Sequence, residues 1–312
     1  MITVEGLSHY YGDRRAGEGL SFTIQQNEGV GLLGLNGAGK STTMKVLAGL
    51  LVPTGGTVTI DGADLVNSGA QFRSRIGYLP EDPPLYKEMT VREFVLYCGQ
   101  LKGMPRAEVT ARLDEVLALA QLTARQHQLI GELSHGYRKR CGIAQAIIHK
   151  PSVVILDEPI SGLDPKQIVE MRQVIRNLAK DATVIISSHI LSEISETCDR
   201  LIVLNGGKIV AAGTEAELAA RAGGSARVTA VLRGPTEAIQ RACTTARAVN
   251  VELREEPGGL TRAHVTLAGA GGGDAKEALV AALVNNGVGV RRIVEDDGEL
   301  EQIFLGLTKE AS

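Results

Sequence analysis

The chain has no tryptophan, and aromatic residues make up only 3 % of it. It therefore lacks the stacking platforms on which single-stranded nucleic acid is usually held. Neither sign of charge dominates: 33 Lys and Arg stand against 36 Asp and Glu, a formal net charge of -3. That balance supplies no general attraction to nucleic acid or to anionic lipid. Cysteine is scarce. The four present, Cys98, Cys141, Cys198 and Cys243, lie far apart without metal-ligand spacing and read as reduced thiols of a cytoplasmic protein. No apolar run approaches the ~20 residues of a membrane span. The opening "MITVEGLSHYYG" has neither the basic nor the apolar region of a signal peptide. Any membrane process would need a partner to supply the membrane part. What is present is ordinary: 44 % apolar and 22 % charged residues over 312 positions, enough for two modest domains with cores.

Short runs rich in Val, Ile and Leu recur in "VGLLGLNGAGKSTTMKVLAGLL", "SVVILDEP", "ATVIISSH" and "RLIVLNGGKIVAAG". Runs apolar on both faces suit a buried parallel sheet. Helical patterns separate them, as in "KQIVEMRQVIRNLAKD" and "LSEISETCD", so strands and helices alternate as in an α/β core. The opening stretch alternates at period two and reads as an antiparallel flank. Residues of about 85–150 carry amphipathic helical patterns, "MTVREFVLYCGQLKGM" and "RAEVTARLDEVLALAQL", and form a helical insertion. A Gly/Ala/Ser-rich shift near "AARAGGSAR" marks a boundary, giving one domain over 1–220 and a second over 226–312. Beyond the boundary the order is βαββαβ, a small α+β ferredoxin-like arrangement, followed by an amphipathic helix "ELEQIFLGLTKE".

Chemistry concentrates in two motifs. "GLNGAGKS" fits the P-loop pattern, after a strand and before a helix. Gly34, Gly37 and Gly39 let the backbone curl so that its N–H groups point into one concavity. Lys40 then reaches the β- and γ-phosphates, and the Ser41 hydroxyl sits on Mg²⁺. In "VVILDEP", Asp157 and Glu158 end a buried strand, where two adjacent carboxylates are costly unless used. Asp157 reads as the Walker B group of the Mg²⁺ shell and Glu158 as the general base for the attacking water. A third stretch, "LSHGYRKR", opens a helix near Gly136 or Tyr137 with Ser134 as its N-cap, an end where free N–H groups can face a phosphate. Its basic run, Arg138 to Arg140, reads as the solvated start of that helix rather than a nucleic-acid patch.

In this order the motifs resemble the nucleotide-binding subunits of ABC transporters, over residues 2 to about 220, and "LSHGYRKR" resembles their signature. The resemblance implies a P-loop ABC nucleotide-binding domain that binds and hydrolyses ATP with Mg²⁺. Two such domains pack head to tail, so that Ser134 and Gly136 complete the site of a second copy or a homologue. It further implies that Tyr11 stacks on adenine, with Tyr10 a weaker candidate. Nucleotide contacts fall to Gly34, Asn36, Gly37, Ala38, Gly39, Lys40, Ser41 and Thr42. Asp164 in "SGLD" lies near the facing subunit, and His189 in "SSHIL" contacts the γ-phosphate and orients the base. Three positions depart from the pattern. Glu81 stands for the usual Gln and still offers Mg²⁺ an oxygen. His135 stands where Gly is typical and Tyr137 where Gln is.

The single nucleotide-binding domain and the closing "ELEQIFLGLT" look like a branch of bacterial exporters whose membrane permease is a separate chain. By that resemblance the protein is cytoplasmic, held peripherally at the inner face of the membrane through the permease, with no nucleic acid as partner. The alternative is a soluble ABC ATPase acting on a macromolecular complex. The ribosomal kind usually carries two nucleotide-binding domains and the DNA kind a long coiled coil or zinc-binding Cys pairs, none of which is found here.

Overall fold

The computed structural model describes residues 1–221, 225–268 and 272–295. The chain divides into two units, Met1–Ala212 and Gly213–Ser312. Up to this division it runs β1 (Ile2–Tyr11), β2 (Arg14–Ile24), β3 (Gly29–Gly34), α1 (Lys40–Leu47), β4 (Gly55–Ile60), β5 (Ala63–Asp64), α2 (Gly69–Ser74), β6 (Ile76–Leu79), α3 (Val91–Leu101), α4 (Arg106–Leu119), α5 (His135–Ile147), β7 (Val153–Leu156), α6 (Pro165–Leu178), β8 (Thr183–Ser188), α7 (Leu191–Ser195), β9 (Arg200–Asn205) and β10 (Lys208–Gly213).

Six strands form the central sheet in the order β10-β9-β3-β8-β7-β6. β9, β3, β8, β7 and β6 are mutually parallel. Every residue of β3, β7 and β8 is buried, the double-sided burial that their unbroken apolar runs announce. Crossovers bring the loops after β3, β7 and β8 to the same carboxyl edge, where α/β sheets place their ligands. The flank is a second sheet, β2-β1-β4-β5, antiparallel throughout. The period-two pattern of the opening stretch announces β1 and β2 but not β4 or β5, because "GGTVTI" is short and opens on two glycines.

The insertion is built from α3, α4 and α5. α3 starts on a capping box: Thr90 accepts from the Glu93 N–H while the Glu93 carboxylate accepts from the Thr90 N–H. α5 is its inner helix, with nine of its residues buried, Lys139 and Arg140 among them. This corrects the reading of Arg138 to Arg140 as a solvated run, since Lys139 and Arg140 are only 2 % and 3 % exposed.

The second unit holds α8 (Glu215–Arg221), β11 (Ser225–Arg233), α9 (Thr236–Thr245), β12 (Ala248–Glu256), β13 (Leu260–Ala268), α10 (Gly272–Asn285) and β14 (Gly289–Glu295). From β11 on, the order is βαββαβ. The strands lie β12-β13-β11-β14, each pair antiparallel, as a ferredoxin-like arrangement requires. Val228, Ala230, Leu232, Val265 and Leu267 alternate onto one face, beneath Ile239 of α9 and Leu279 and Leu283 of α10. The closing helix expected at "ELEQIFLGLTKE" lies outside the described residues.

Candidate functional site

The P-loop spans the end of β3 to the start of α1. Two backbone positions force glycine. Gly39 has φ 101°, and a Cβ there would stand 2.1 Å from the Ala16 carbonyl oxygen; Gly37 has φ 86°. Lys40, the first residue of α1, is buried. Its Nζ donates to the Gly34 carbonyl at 2.7 Å and lies 3.6 Å from the Glu158 carboxylate. With Tyr11, Asn36, Gly37, Gly39, Ser41, Thr42, Glu81, Glu158 and His189 it lines one cavity of about 340 Å³. The cavity also gathers Arg14 and Arg15, which no sequence motif singles out. Gly34 and Ala38 are buried beneath the loop. Tyr11 is half-exposed and meets His9 edge-on at 4.8 Å.

Asp157 and Glu158 follow β7. Both are buried. The Ser187 hydroxyl at the end of β8 joins them: it donates to Asp157 Oδ1 at 2.6 Å and accepts from the Glu158 N–H at 2.9 Å. Glu158 has φ 47°, a left-handed backbone that costs a non-glycine residue about 1–2 kcal/mol. Its carboxylate meets His189 Nδ1 at 3.0 Å. With the carboxylate ionised, Nδ1 carries the proton and donates. Nearby, burial and the Asp157 carboxylate push the Tyr78 phenol well above its ordinary pKa.

Ser134, Gly136 and Asp164 are not among the residues lining this cavity. α5 begins at His135, slightly earlier than the sequence suggests, and Ser134 sits at the N-cap without a side-chain cap bond. A Cβ on Gly136 would stand 2.4 Å from the tip of Gln167. Asp164 caps α6, accepting from the Gln167 N–H at 2.9 Å. The Tyr137 ring is flanked by the guanidinium groups of Arg125 at 5.3 Å and Arg140 at 5.1 Å, so its face is engaged within the insertion. Arg140 also pairs with Glu170. Lys139 Nζ donates to the Glu158 carbonyl at 2.5 Å. Burial draws its ammonium below the ordinary lysine pKa, with Glu81, Glu158 and Asp82 opposing. Ser187 and Lys139 were missed in the sequence because each meets its partner only through the fold.

A larger cavity, of about 620 Å³, opens between the core and the insertion. Leu50, Tyr78, Leu85, Tyr86, Phe94 and Leu101 give it a mostly apolar wall.

Comparison with known proteins identifies the family. The ABC transporter family model matches residues 18–161. The linearmycin resistance ATP-binding protein LnrL of Bacillus subtilis (strain 168) is 30 % identical over 309 residues, covering 99 % of this chain and 98 % of that one. The Nod factor export ATP-binding protein I of Burkholderia lata is 38 % identical over 213 residues, covering 68 % of this chain and 70 % of that one. Among solved structures, cbiO1 from Clostridium perfringens, part of the ABC transporter complex cbiONQ, matches with a TM-score of 0.65 at 30 % identity. It covers 70 % of this chain and 90 % of that one.

Proposed function

Because the chain belongs to the ABC transporter family, as an ATP-binding subunit with an ABC ATPase domain, we propose that it drives export through a separate membrane permease, hydrolysing ATP at sites shared between two such chains. One observation carries the chemistry: a single buried carboxylate, Glu158, lies 3.6 Å from Lys40 and 3.0 Å from His189. Lys40 and the P-loop N–H groups bind the phosphates, and Tyr11 stacks on the adenine. Glu158 takes the proton of the attacking water. His189, donating from Nδ1, fixes the direction of that carboxylate.

Among the described residues no three His, Cys, Asp or Glu side chains form a ready-made metal cage. Mg²⁺ does not need one, since it is usually held by one or two carboxylates with phosphate oxygens and water. The donors at hand fit it: Ser41, the buried Asp157 and Glu81 at the cavity wall all offer oxygen. When bound, it supplies charge neutralisation at the phosphate oxygens.

Export rests on the relatives named for resistance and export. The same relatives favour a separate membrane partner for this chain, in which no described helix is long and apolar enough to cross a bilayer. The apolar groove at Leu85, Tyr86 and Leu101 suits a short helix of that partner, and it would hold the subunit at the inner face of the membrane. It adjoins the loop that carries Glu81, so a small rotation there can report the nucleotide state.

The test has two arms. Glu158→Gln keeps ATP binding, loses ~10²–10⁴ in hydrolysis and accumulates an ATP-bound dimer visible by light scattering. Turnover at the wild-type rate removes Glu158 from its role. Cysteines placed at Leu85 or Tyr86 cross-link to the permease in membranes; cross-links found only elsewhere sink the docking assignment.

A further inference from the structure

Lys139 is the middle residue of the basic run Arg138 to Arg140 near the start of the signature helix, and nothing in the chemistry above uses it. It is 2 % exposed. Lysine is almost never so buried without a partner. Its partner is unusual: a main-chain carbonyl, that of Glu158, at 2.5 Å. β7 ends at Leu156, so Glu158 is outside the sheet ladder. Side chains hold both of its main-chain polar groups. The N–H is bound by Ser187 and the carbonyl by Lys139. Between them stands a left-handed φ of 47°, and such a conformation persists only where its surroundings over-determine it.

We propose that Lys139 is a positioning residue for ATP hydrolysis: from α5 it clamps the carbonyl of Glu158, opposite Ser187, and so fixes the backbone that aims the carboxylate between Lys40 and His189. The inference rests on the reading of Glu158 as the base. Two features follow from the geometry. Lys139 is not among the residues lining the nucleotide cavity and meets that lining only through the Glu158 main chain, so it acts on turnover and leaves nucleotide affinity alone. It also works only through Glu158, so its value disappears when that carboxylate is gone.

The experiment is a double-mutant cycle on the full chain. Lys139→Met keeps the length and apolar body of the side chain and removes the donor. Its kcat should fall by about 10- to 100-fold, the range expected for a charge-assisted hydrogen bond, with ATP affinity by fluorescent nucleotide titration within about twofold of wild type. Lys139→Gln, which restores a neutral donor, should recover part of the rate. Added to Glu158→Gln, Lys139→Met should cost nothing further in residual hydrolysis. A wild-type kcat in Lys139→Met, or an undiminished extra loss on the Glu158→Gln background, overturns the proposal. Where Lys139→Met folds poorly, Lys139→Leu, which also lacks the donor, carries the same cycle with the same two outcomes. Glu158→Gln at the wild-type rate would instead overturn the underlying reading, so the two failures are told apart.

Discussion

The starts of α1 and α5 look alike on paper. Each follows a glycine-bearing or serine-bearing turn, and neither is capped by a side chain, so both leave N–H groups directed outward. They differ in what stands beside them. At α1 the first residue is a buried lysine, with Glu158 and His189 on the same cavity. At α5 the exposed tip offers a hydroxyl, an imidazole and backbone N–H groups. Lys139 and Arg140 are turned inward to Glu158 and Glu170. One end can bind polyphosphate by charge; the other brings hydrogen-bond donors and a dipole. A helix dipole alone contributes only about 0.3–1 kcal/mol to an exposed anion. The α5 end is therefore suited to completing a phosphate already held by another P-loop, and poorly suited to capturing one itself.

The largest expected effect breaks this comparison directly. Lys40→Ala removes the charge at one end, and Gly136→Leu blocks close approach at the other. Each should be nearly inactive as a homodimer, with Gly136→Leu still binding nucleotide at its own P-loop. In mixed dimers one composite site draws Lys40 and Gly136 from opposite, intact chains. ATPase rate against mixing ratio should then show a hump after subunit exchange. Tethered dimers with both lesions in one half should be inactive, because each shared site carries one lesion; half activity there would place both elements in one chain.

What could be read from the sequence follows the same division. The P-loop, Asp157, Glu158 and His189 were legible because each chemistry sits within a short stretch next to a strand, and the sheet then has one way to bring the strand ends together. Ser187 was not legible, since a serine in "IISSH" has no local sign that it will bridge two carboxylate residues about thirty positions upstream. The burial of Lys139 and Arg140 was misread because charge predicts solvent, while α5 is packed on several sides and satisfies them with a carbonyl and a glutamate. The βαββαβ order of the second unit was legible from alternating apolar positions alone. β4 was lost because its inward positions are only Val58 and Ile60.

A smaller effect separates the two glycines. At Gly39 an added methyl would meet a backbone oxygen at 2.1 Å with φ at 101°. Gly39→Ala should lose about 3 kcal/mol of stability, from left-handed strain and overpacking together, and nucleotide binding with it. At Gly136 the methyl meets only the movable tip of Gln167, and alanine favours the helix by up to about 1 kcal/mol. Gly136→Ala should therefore unfold within about 1 kcal/mol of wild type while still slowing ATPase. Urea titrations of both variants decide it; equal destabilisation would mean that the α5 end is as rigidly built as the P-loop.

The smallest effect concerns the far end of α5, where the helix is tied down rather than presented. His149 Nε2 lies 3.0 Å from the Ile76 carbonyl at the start of β6 and donates to it. Its Nδ1 is buried without a partner. Burial first, then the charges of Lys102 and Arg112, lower the imidazole from 6.5 to about 4, against the opposing pull of the Ile76 carbonyl. The sign follows from linkage. Above pH 6.5 both folded and unfolded chains hold His149 neutral, and its contribution is complete. Between 6.5 and about 4 the unfolded chain takes up a proton that the fold refuses, so stability falls with pH. Between pH 7 and 5 the full linkage is about 2 kcal/mol, reduced toward about 1 kcal/mol by solvent at the part-buried ring, or roughly 2–8 °C in Tm. His149→Gln keeps a donor for Ile76 and cannot titrate. Thermal melts of both proteins across that range should converge as the pH drops, the wild type losing its advantage. If the wild-type and variant curves instead stay parallel to pH 5, His149 is not excluded from water at the base of α5, and this end of the helix is as open as its start.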